Sequence, residues 1–291
     1  MPVIEPEKLS VAALHGYLLG AVTPRPIALA STVDASGNVN LSPFSFFNCF
    51  GSNPPLLIFS PNRRVRDNTT KHTYENVLEV PEVVIHIVNH DMVQQVSLAS
   101  TEYDKGVNEF AKAGFTEVPS IRITPPRVKE APVAMECKVR QVISTGDEGG
   151  AANLILCEVV LMHISDNILD EAGKIDPAKL DAVARLGGDW YARIGSESLF
   201  KVPKPLEKKG IGFDNLPDEV RRSNVLTGSD LAQLANVEAI PVPDPGHPVF
   251  SMLSEEQLAR PEDIFIKAKE FIARHQVAEA WQLLLRHIGS K

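Results

Sequence analysis

Two stretches of the chain hold residue types able to grip a ligand. The first is Pro61-Asn62-Arg63-Arg64-Val65-Arg66-Asp67, continued by Asn68-Thr69-Thr70-Lys71-His72-Thr73-Tyr74-Glu75-Asn76. It gathers four cations, Arg63, Arg64, Arg66 and Lys71, within nine positions of an acidic chain. Asp67, Asn68, Thr69 and Thr70 are each competent to cap a helix running to about Leu78. A helix start presents unpaired N–H groups and a partial positive charge. Lys and Arg beside it make a site the size of a phosphate. A solvated loop with surface arginines has the same composition, and local sequence does not separate the two.

The second stretch runs from Val22 to Asn48. Pro24 and Pro26 flank Arg25, and an apolar run from Ile27 to Val33 meets the turn Asp34-Ala35-Ser36-Gly37-Asn38. Val39 to Ser42 then leads into Pro43-Phe44-Ser45-Phe46-Phe47-Asn48. The pattern is a β-hairpin whose exit ends in hydroxyls, aromatics and an amide. Such a mixture can line a pocket for a flat ligand with polar edges. An ordinary hairpin with a Phe-rich core edge is the alternative.

Other chemistry is absent. No GxSxG elbow, HExxH helix, P-loop or EF-hand occurs. Gly210-Ile211-Gly212 opens like a dinucleotide fingerprint, but Asn215 stands in place of the third glycine and no apolar strand precedes it. Asp166 and Asp170 sit in turn-like sequence, where acids are expected. No catalytic residue can be named. Pocket-type and phosphate-type residues without an acid–base set fit a redox cofactor that carries the chemistry itself.

The elements that must position these residues follow from pattern. The chain has 291 residues, 44% of them hydrophobic, enough for one large domain or two smaller ones. A net charge of −8 argues against a nucleic-acid binder. No apolar run is long enough to span a bilayer, and MPVIEPEKLS is not a signal peptide, so the cytoplasm is expected. Three cysteines, Cys49, Cys137 and Cys157, without a CxxC, argue against a disulfide framework and against structural zinc, and no metal site is expected. Cys137 and Cys157 read as small core hydrophobes.

Ser10 caps a helix to Leu19, and Leu56–Ser60 and Val83–Asn89 are strands, the latter with His86 packed rather than ligating. Asp91–Ala113 is helical with a loop at Glu102–Gly106, closed by Gly114. Ala134–Ile143 and Leu154–Ile164 form a second hairpin. Asp176-Pro177 opens a short helix. Gly187 and Gly188, before Trp190-Tyr191, allow close approach of another segment or a ligand. After Ser196 the texture changes to a basic linker, Lys201–Lys209, and then helices at Pro217–Ser223 and Ser229–Ala235. A short helix capped by Ser254 follows, and last a single long helical pattern from Pro261 to Ile288.

Gly20-Ala21-Val22-Thr23-Pro24-Arg25-Pro26-Ile27-Ala28-Leu29, Asn40-Leu41-Ser42-Pro43-Phe44-Ser45-Phe46-Phe47-Asn48 and Asn53-Pro54-Pro55 resemble the flavin reductase-like, FMN-binding split-barrel family, which includes flavoredoxin-like proteins. Lys71-His72-Thr73-Tyr74-Glu75-Asn76 resembles its Lys-Asp-Thr-x-x-Asn element, with His72 in place of the Asp. Val84–Asn89, Glu109–Thr116, Glu130–Cys137 and Leu186-Gly187-Gly188 resemble further blocks in the same order. The resemblance covers about residues 12–195.

It implies a mainly β fold with helices: a split β-barrel over residues 1–195, followed by a helical C-terminal extension over 196–291. It implies a homodimer with FMN near the subunit interface. Arg25, Ser42, Ser45, Phe46, Phe47 and Asn48 would approach the ring or ribityl chain. Arg66, Lys71 and Thr73 would hold the phosphate, with Arg64 a weaker candidate, and Tyr191 with Gly187-Gly188 would close over the flavin. The implied activity is an FMN oxidoreductase drawing on NADH or NADPH and passing electrons to flavin or another small acceptor. A flavoredoxin-like carrier without nicotinamide turnover and a non-catalytic flavin scaffold are the alternatives. Neither nucleic acid nor membrane is an expected partner.

Overall fold

Period-two alternation gives each strand one face to bury, and here seven such strands bury it by curling into a barrel. The computed structural model describes residues 1–203 and 209–289. It divides into two compact units, Met1–Phe200 and Lys201–Lys291.

The first unit begins with α1 (Val11–Ala21), β1 (Arg25–Pro26), β2 (Ala28–Val33), β3 (Val39–Phe44), β4 (Phe47–Ser52) and β5 (Pro55–Phe59). It continues with α2 (His72–Glu79), β6 (Glu82–Ile87), α3 (Val93–Leu98), α4 (Glu109–Ala113), β7 (Glu117–Val118), β8 (Arg127–Val128), β9 (Val133–Ser144) and β10 (Asn153–Ile164). It closes with α5 (Pro177–Leu180), β11 (Val183–Arg185) and β12 (Tyr191–Arg193). The seven-stranded sheet has the order β3-β2-β6-β9-β10-β5-β4. Its two edge strands, β3 and β4, are consecutive in the chain, with only Ser45 and Phe46 between them. The sheet therefore curls until its edges meet at that corner, which makes it a split β-barrel with helices around it.

The barrel interior is filled by Ala28, Ala30, Phe44, Phe59, Ile85, Met135, Ile155 and both inner cysteines. A second cluster, including Leu29, Leu41, Met92, Val96 and Phe110, covers the outer face of β2 and β3 with α3 and α4. Every residue of β2 is consequently buried, the polar Ser31 and Thr32 included. His86 is fully buried, with Nδ1 2.8 Å from the Leu29 carbonyl and Nε2 accepting from Val128 N–H at 2.9 Å. It bolts two strands, as expected of a packed histidine. Burial pushes the Cys137 thiol up to about 12 and that of Cys157 well above its ordinary range.

One expected boundary shifts. The second helix starts at His72 with Lys71 at the cap position, where no side chain caps it. The supposed caps are engaged elsewhere. Asp67 accepts from Thr69 N–H and Oγ1, and Arg64 donates its backbone N–H to the Thr69 carbonyl and its Nη1 to that of Thr70, so these bonds close a loop ahead of the helix.

The second unit contains α6 (Asp218–Arg221), α7 (Gly228–Ala235), α8 (Glu255–Ala259), α9 (Pro261–Ala273) and α10 (Val277–Gly289). Ser254 caps α8 through a reciprocal capping box with Gln257. The long helix expected from Pro261 to Ile288 is instead a hairpin of two helices. His275 takes a left-handed conformation (φ 59°), and Gln276 N–H returns to the Phe271 carbonyl. Folding back buries Ile264, Ala268, Phe271 and Ile272 together with Ala280, Trp281 and Leu284. Of the expected linker, residues 204–208 lie outside the described residues.

Candidate functional site

The corner where the barrel edges meet sets the site. The end of β3 supplies Ser42, the corner after it Ser45, and the start of α2 supplies Lys71, His72 and Thr73. The C-terminal end of α3 and the turn after it supply Ser97, Ser100, Thr101 and Glu102, while the β11–β12 hairpin supplies Arg185 and Tyr191.

Three cavities adjoin one another through shared lining residues. The first, about 20 Å³, is lined by Asn40, Ser42, Arg64, Lys71, His72, Thr73, Ser100, Thr101, Glu102 and Glu109, among others. The second, about 140 Å³, shares Ser100 and adds Ile27, Pro43, Phe44, Ser45, Val96, Ser97, Arg185 and Tyr191. The third, about 300 Å³, shares Ser97 and Tyr191 and adds His90, Gln94 and Arg193. Lys71 and Ser45 thus line adjoining cavities of one segmented groove, with Ser100 lining both.

At the cationic end, Lys71 is half-buried and its ammonium makes no hydrogen bond among the described residues. Its one ion pair there is long, with Nζ 3.9 Å from Glu102 Oε1. Burial, then the neighbouring Arg64, lowers its pKa from the ordinary lysine value. An ammonium that has lost water without gaining partners is poised for an anion. Thr73 is buried, and its Oγ1 accepts from Asn40 Nδ2 at 2.9 Å, so its own proton remains to be donated. Arg64 donates Nε to Glu102 (3.0 Å) and Nη1 to Thr69 Oγ1 (2.8 Å), which fixes its guanidinium in the cavity wall. Arg66 donates to Glu102 at 2.8 Å from an exposed position outside the cavity lining, so Arg64, not Arg66, is the arginine in the wall.

At the other end, the Arg185 guanidinium lies 4.5 Å from the Tyr191 ring centroid. Its Nη1 is buried without a hydrogen-bond partner, a donor facing the need for an acceptor. Arg185, Ser97 and Ser100 escaped the sequence patterns; the only local signal was the adjacency of Arg185 to Leu186-Gly187-Gly188.

The remaining expected residues are placed differently. Arg25 is buried and lines none of these cavities. Its Nη1 donates to the carbonyls of Leu19 (2.6 Å) and Val22, and its Nη2 to that of Leu186 (3.0 Å). It therefore pins the end of α1 to the hairpin that carries Arg185 and Tyr191. Gly187 serves the same junction, since a Cβ there would lie 3.3 Å from Gly20 Cα. The close approach seen here is to another segment of the chain. Phe47 packs on the barrel core. Phe46 and Asn48 are exposed beyond the corner, Phe46 edge-on to His15 at 6.0 Å. Within one chain none of these three lines the groove.

A larger cavity of about 690 Å³ lies around Asn89, Arg127, His163 and Lys179. Several of its ionisable groups are already committed: Arg127 to the Pro119 carbonyl, Lys179 to that of Leu169, Asp181 to Arg193, His163 to Glu136 and Glu130 to Thr116 N–H, while Asp91 and Lys129 also line it. Size alone does not make it the better site.

Residues 19–178 match the model of the flavin reductase like domain. A protein of Aquifex aeolicus is 38% identical over 189 residues, covering 65% of this chain and 94% of its own. Among solved structures, nitrilotriacetate monooxygenase component B from Bacillus cereus aligns with a TM-score of 0.65 at 30% identity, covering 69% of this chain and 98% of that one. A proposed flavin reductase with a split barrel domain from Shewanella frigidimarina aligns with a TM-score of 0.60 at 26% identity, covering 70% and 99%. With the matched span taking in the barrel corner, Lys71 and Thr73, the chain belongs to the flavin reductase-like, split-barrel family.

Proposed function

We propose that residues 1–195 form an FMN-binding oxidoreductase domain of the NAD(P)H:flavin reductase type, with 196–291 a helical extension. The observation that carries this reading is the half-buried, unbonded Lys71 ammonium at one end of a groove whose other end holds the unpaired Arg185 donor. Lys71, Thr73 and Arg64 would hold the phosphate, because they offer two cations and a free hydroxyl in one cavity. Ser42, Ser45, Ser97 and Ser100 offer hydroxyls along the middle of the groove, suited to a ribityl chain. Arg185 and Tyr191 offer a donor and an aromatic face to a ring system. Bound FMN would supply the redox chemistry by accepting a hydride equivalent and passing electrons on. The protein's part is to bind, orient and desolvate.

A homodimer belongs to the same reading. Phe50, Val160 and Met162 are exposed, and Leu56, Ile58, Leu154 and Leu156 are only half-buried, on the strands of the β4–β5–β10 side. A second copy covering that side would also bring Phe46 and Asn48 toward a flavin. No described helix is long and apolar enough to cross a membrane. The cytoplasm, where thiols such as exposed Cys49 stay reduced, is the compartment this reading expects.

The test is steady-state NADH and NADPH oxidation by purified protein with FMN. Turnover supports the reductase. Bound FMN that dithionite reduces but neither nicotinamide does would favour an electron carrier. Protein that binds neither FMN nor riboflavin would end both readings.

A further inference from the structure

Glu102 sits in the turn after α3, and its carboxylate faces cations from two directions. Oε1 accepts from Arg64 Nε at 3.0 Å and lies 3.9 Å from Lys71 Nζ, while Oε2 accepts from Arg66 Nη2 at 2.8 Å. The neighbouring acids are otherwise occupied. Asp67 is turned to Thr69 and Arg66, Glu75 to Thr70 and Lys105, and Glu109 accepts from Leu41 N–H. Glu102 is thus the carboxylate that competes for the cations proposed to bind phosphate. It also lines the same cavity as Lys71 and Thr73. A phosphate on Lys71 and a carboxylate within ion-pair reach of the same ammonium must repel each other.

We propose that Glu102 is an internal competitor for the flavin phosphate, set to keep FMN an exchangeable ligand rather than a locked cofactor. When phosphate binds Lys71, Glu102 gives up its share of that cation. When phosphate leaves, Glu102 holds the cluster together, so the empty site does not carry three unopposed charges. Riboflavin has no phosphate and is indifferent to the carboxylate. The specificity consequence is a phosphate grip weaker than the cation count alone would give, and a faster release.

This inference rests on the flavin reading, and its test separates the two. Glu102→Gln keeps the shape and removes the charge, and the side chain is 42% exposed, so folding is not at stake. Dissociation constants and release rates for FMN and riboflavin are measured on the full chain by flavin fluorescence, with Glu102→Asp as a charge-keeping control. A carboxylate about 6 Å from a phosphate dianion repels it, even at the dielectric of water, by an amount worth about tenfold in affinity. The expected result is FMN bound about tenfold tighter in Glu102→Gln, mostly through slower release, with riboflavin unchanged and Glu102→Asp close to wild type. Unchanged or weakened FMN binding in Glu102→Gln, with wild type binding FMN normally, would overturn the inference and leave the flavin reading intact. Wild-type protein that binds neither flavin would overturn both.

Discussion

Replacing Lys71 by Ala should weaken FMN far more than riboflavin. The ammonium sits in the cavity wall beside Thr73, its one ion pair among the described residues is 3.9 Å long, and it makes no hydrogen bond there. A charge-assisted contact to a phosphate is worth about 1.5–3 kcal/mol. The side chain is 31% exposed and Arg64 stands in the same wall, so the middle of that range is the fair expectation. About 2 kcal/mol corresponds to about 30-fold in the dissociation constant for FMN. Riboflavin, which offers that cavity only a hydroxyl, should change less than about threefold, the scale of a neutral hydrogen bond at most. Stability should not fall. Burial lowers the folded pKa of Lys71, so keeping it charged costs the ligand-free protein free energy, and Ala removes that cost. Isothermal titration with both ligands and a thermal melt of each variant measure all three quantities. Equal weakening of FMN and riboflavin would refute the assignment of Lys71 to the phosphate.

Arg25→Ala should behave in the opposite way, since Arg25 works through the hairpin it pins. Loss of its bonds to Leu19, Val22 and Leu186 should destabilise the fold by about 3 kcal/mol, read as a lower melting temperature, and weaken both flavins alike. His86 is held neutral, its pKa lowered by burial to about 4 from 6.5, so the stability it confers is complete above pH 6.5 and is lost as pH falls through 4. Acid titration followed by circular dichroism should show that slope, and His86→Gln should flatten it. A thiol reagent should modify Cys49 alone in the native protein and all three cysteines after unfolding, because Cys137 and Cys157 are buried and hard to ionise.

The sequence shows most clearly what local pattern controls. Alternation exposes the β9–β10 hairpin, and Ser10 and Ser254 announce their helices because a cap is a bond within a few residues. What it hides is decided elsewhere in space. The break at His275 is a single left-handed residue inside an intact periodicity, and it exists because α9 and α10 gain by packing on each other. The start of α2 moves to His72 because Asp67 and Arg64 close the preceding loop with their own side chains. Ser45 and Lys71 were legible as ligand-binding types, but their placement in adjoining cavities depends on barrel closure, which no window of sequence contains. The same closure turns Phe46 and Asn48 outward, and it brings Ser97, Ser100 and Arg185 into the groove from segments that carried no motif.

The most direct measurement is a crystal structure of the full chain grown with FMN. The phosphate should lie against Lys71 Nζ and Thr73 Oγ1, with the flavin running past Ser45 toward Tyr191. Flavin bound instead in the cavity around Asn89 and Lys179, with the groove at Lys71 empty, would contradict the assignment.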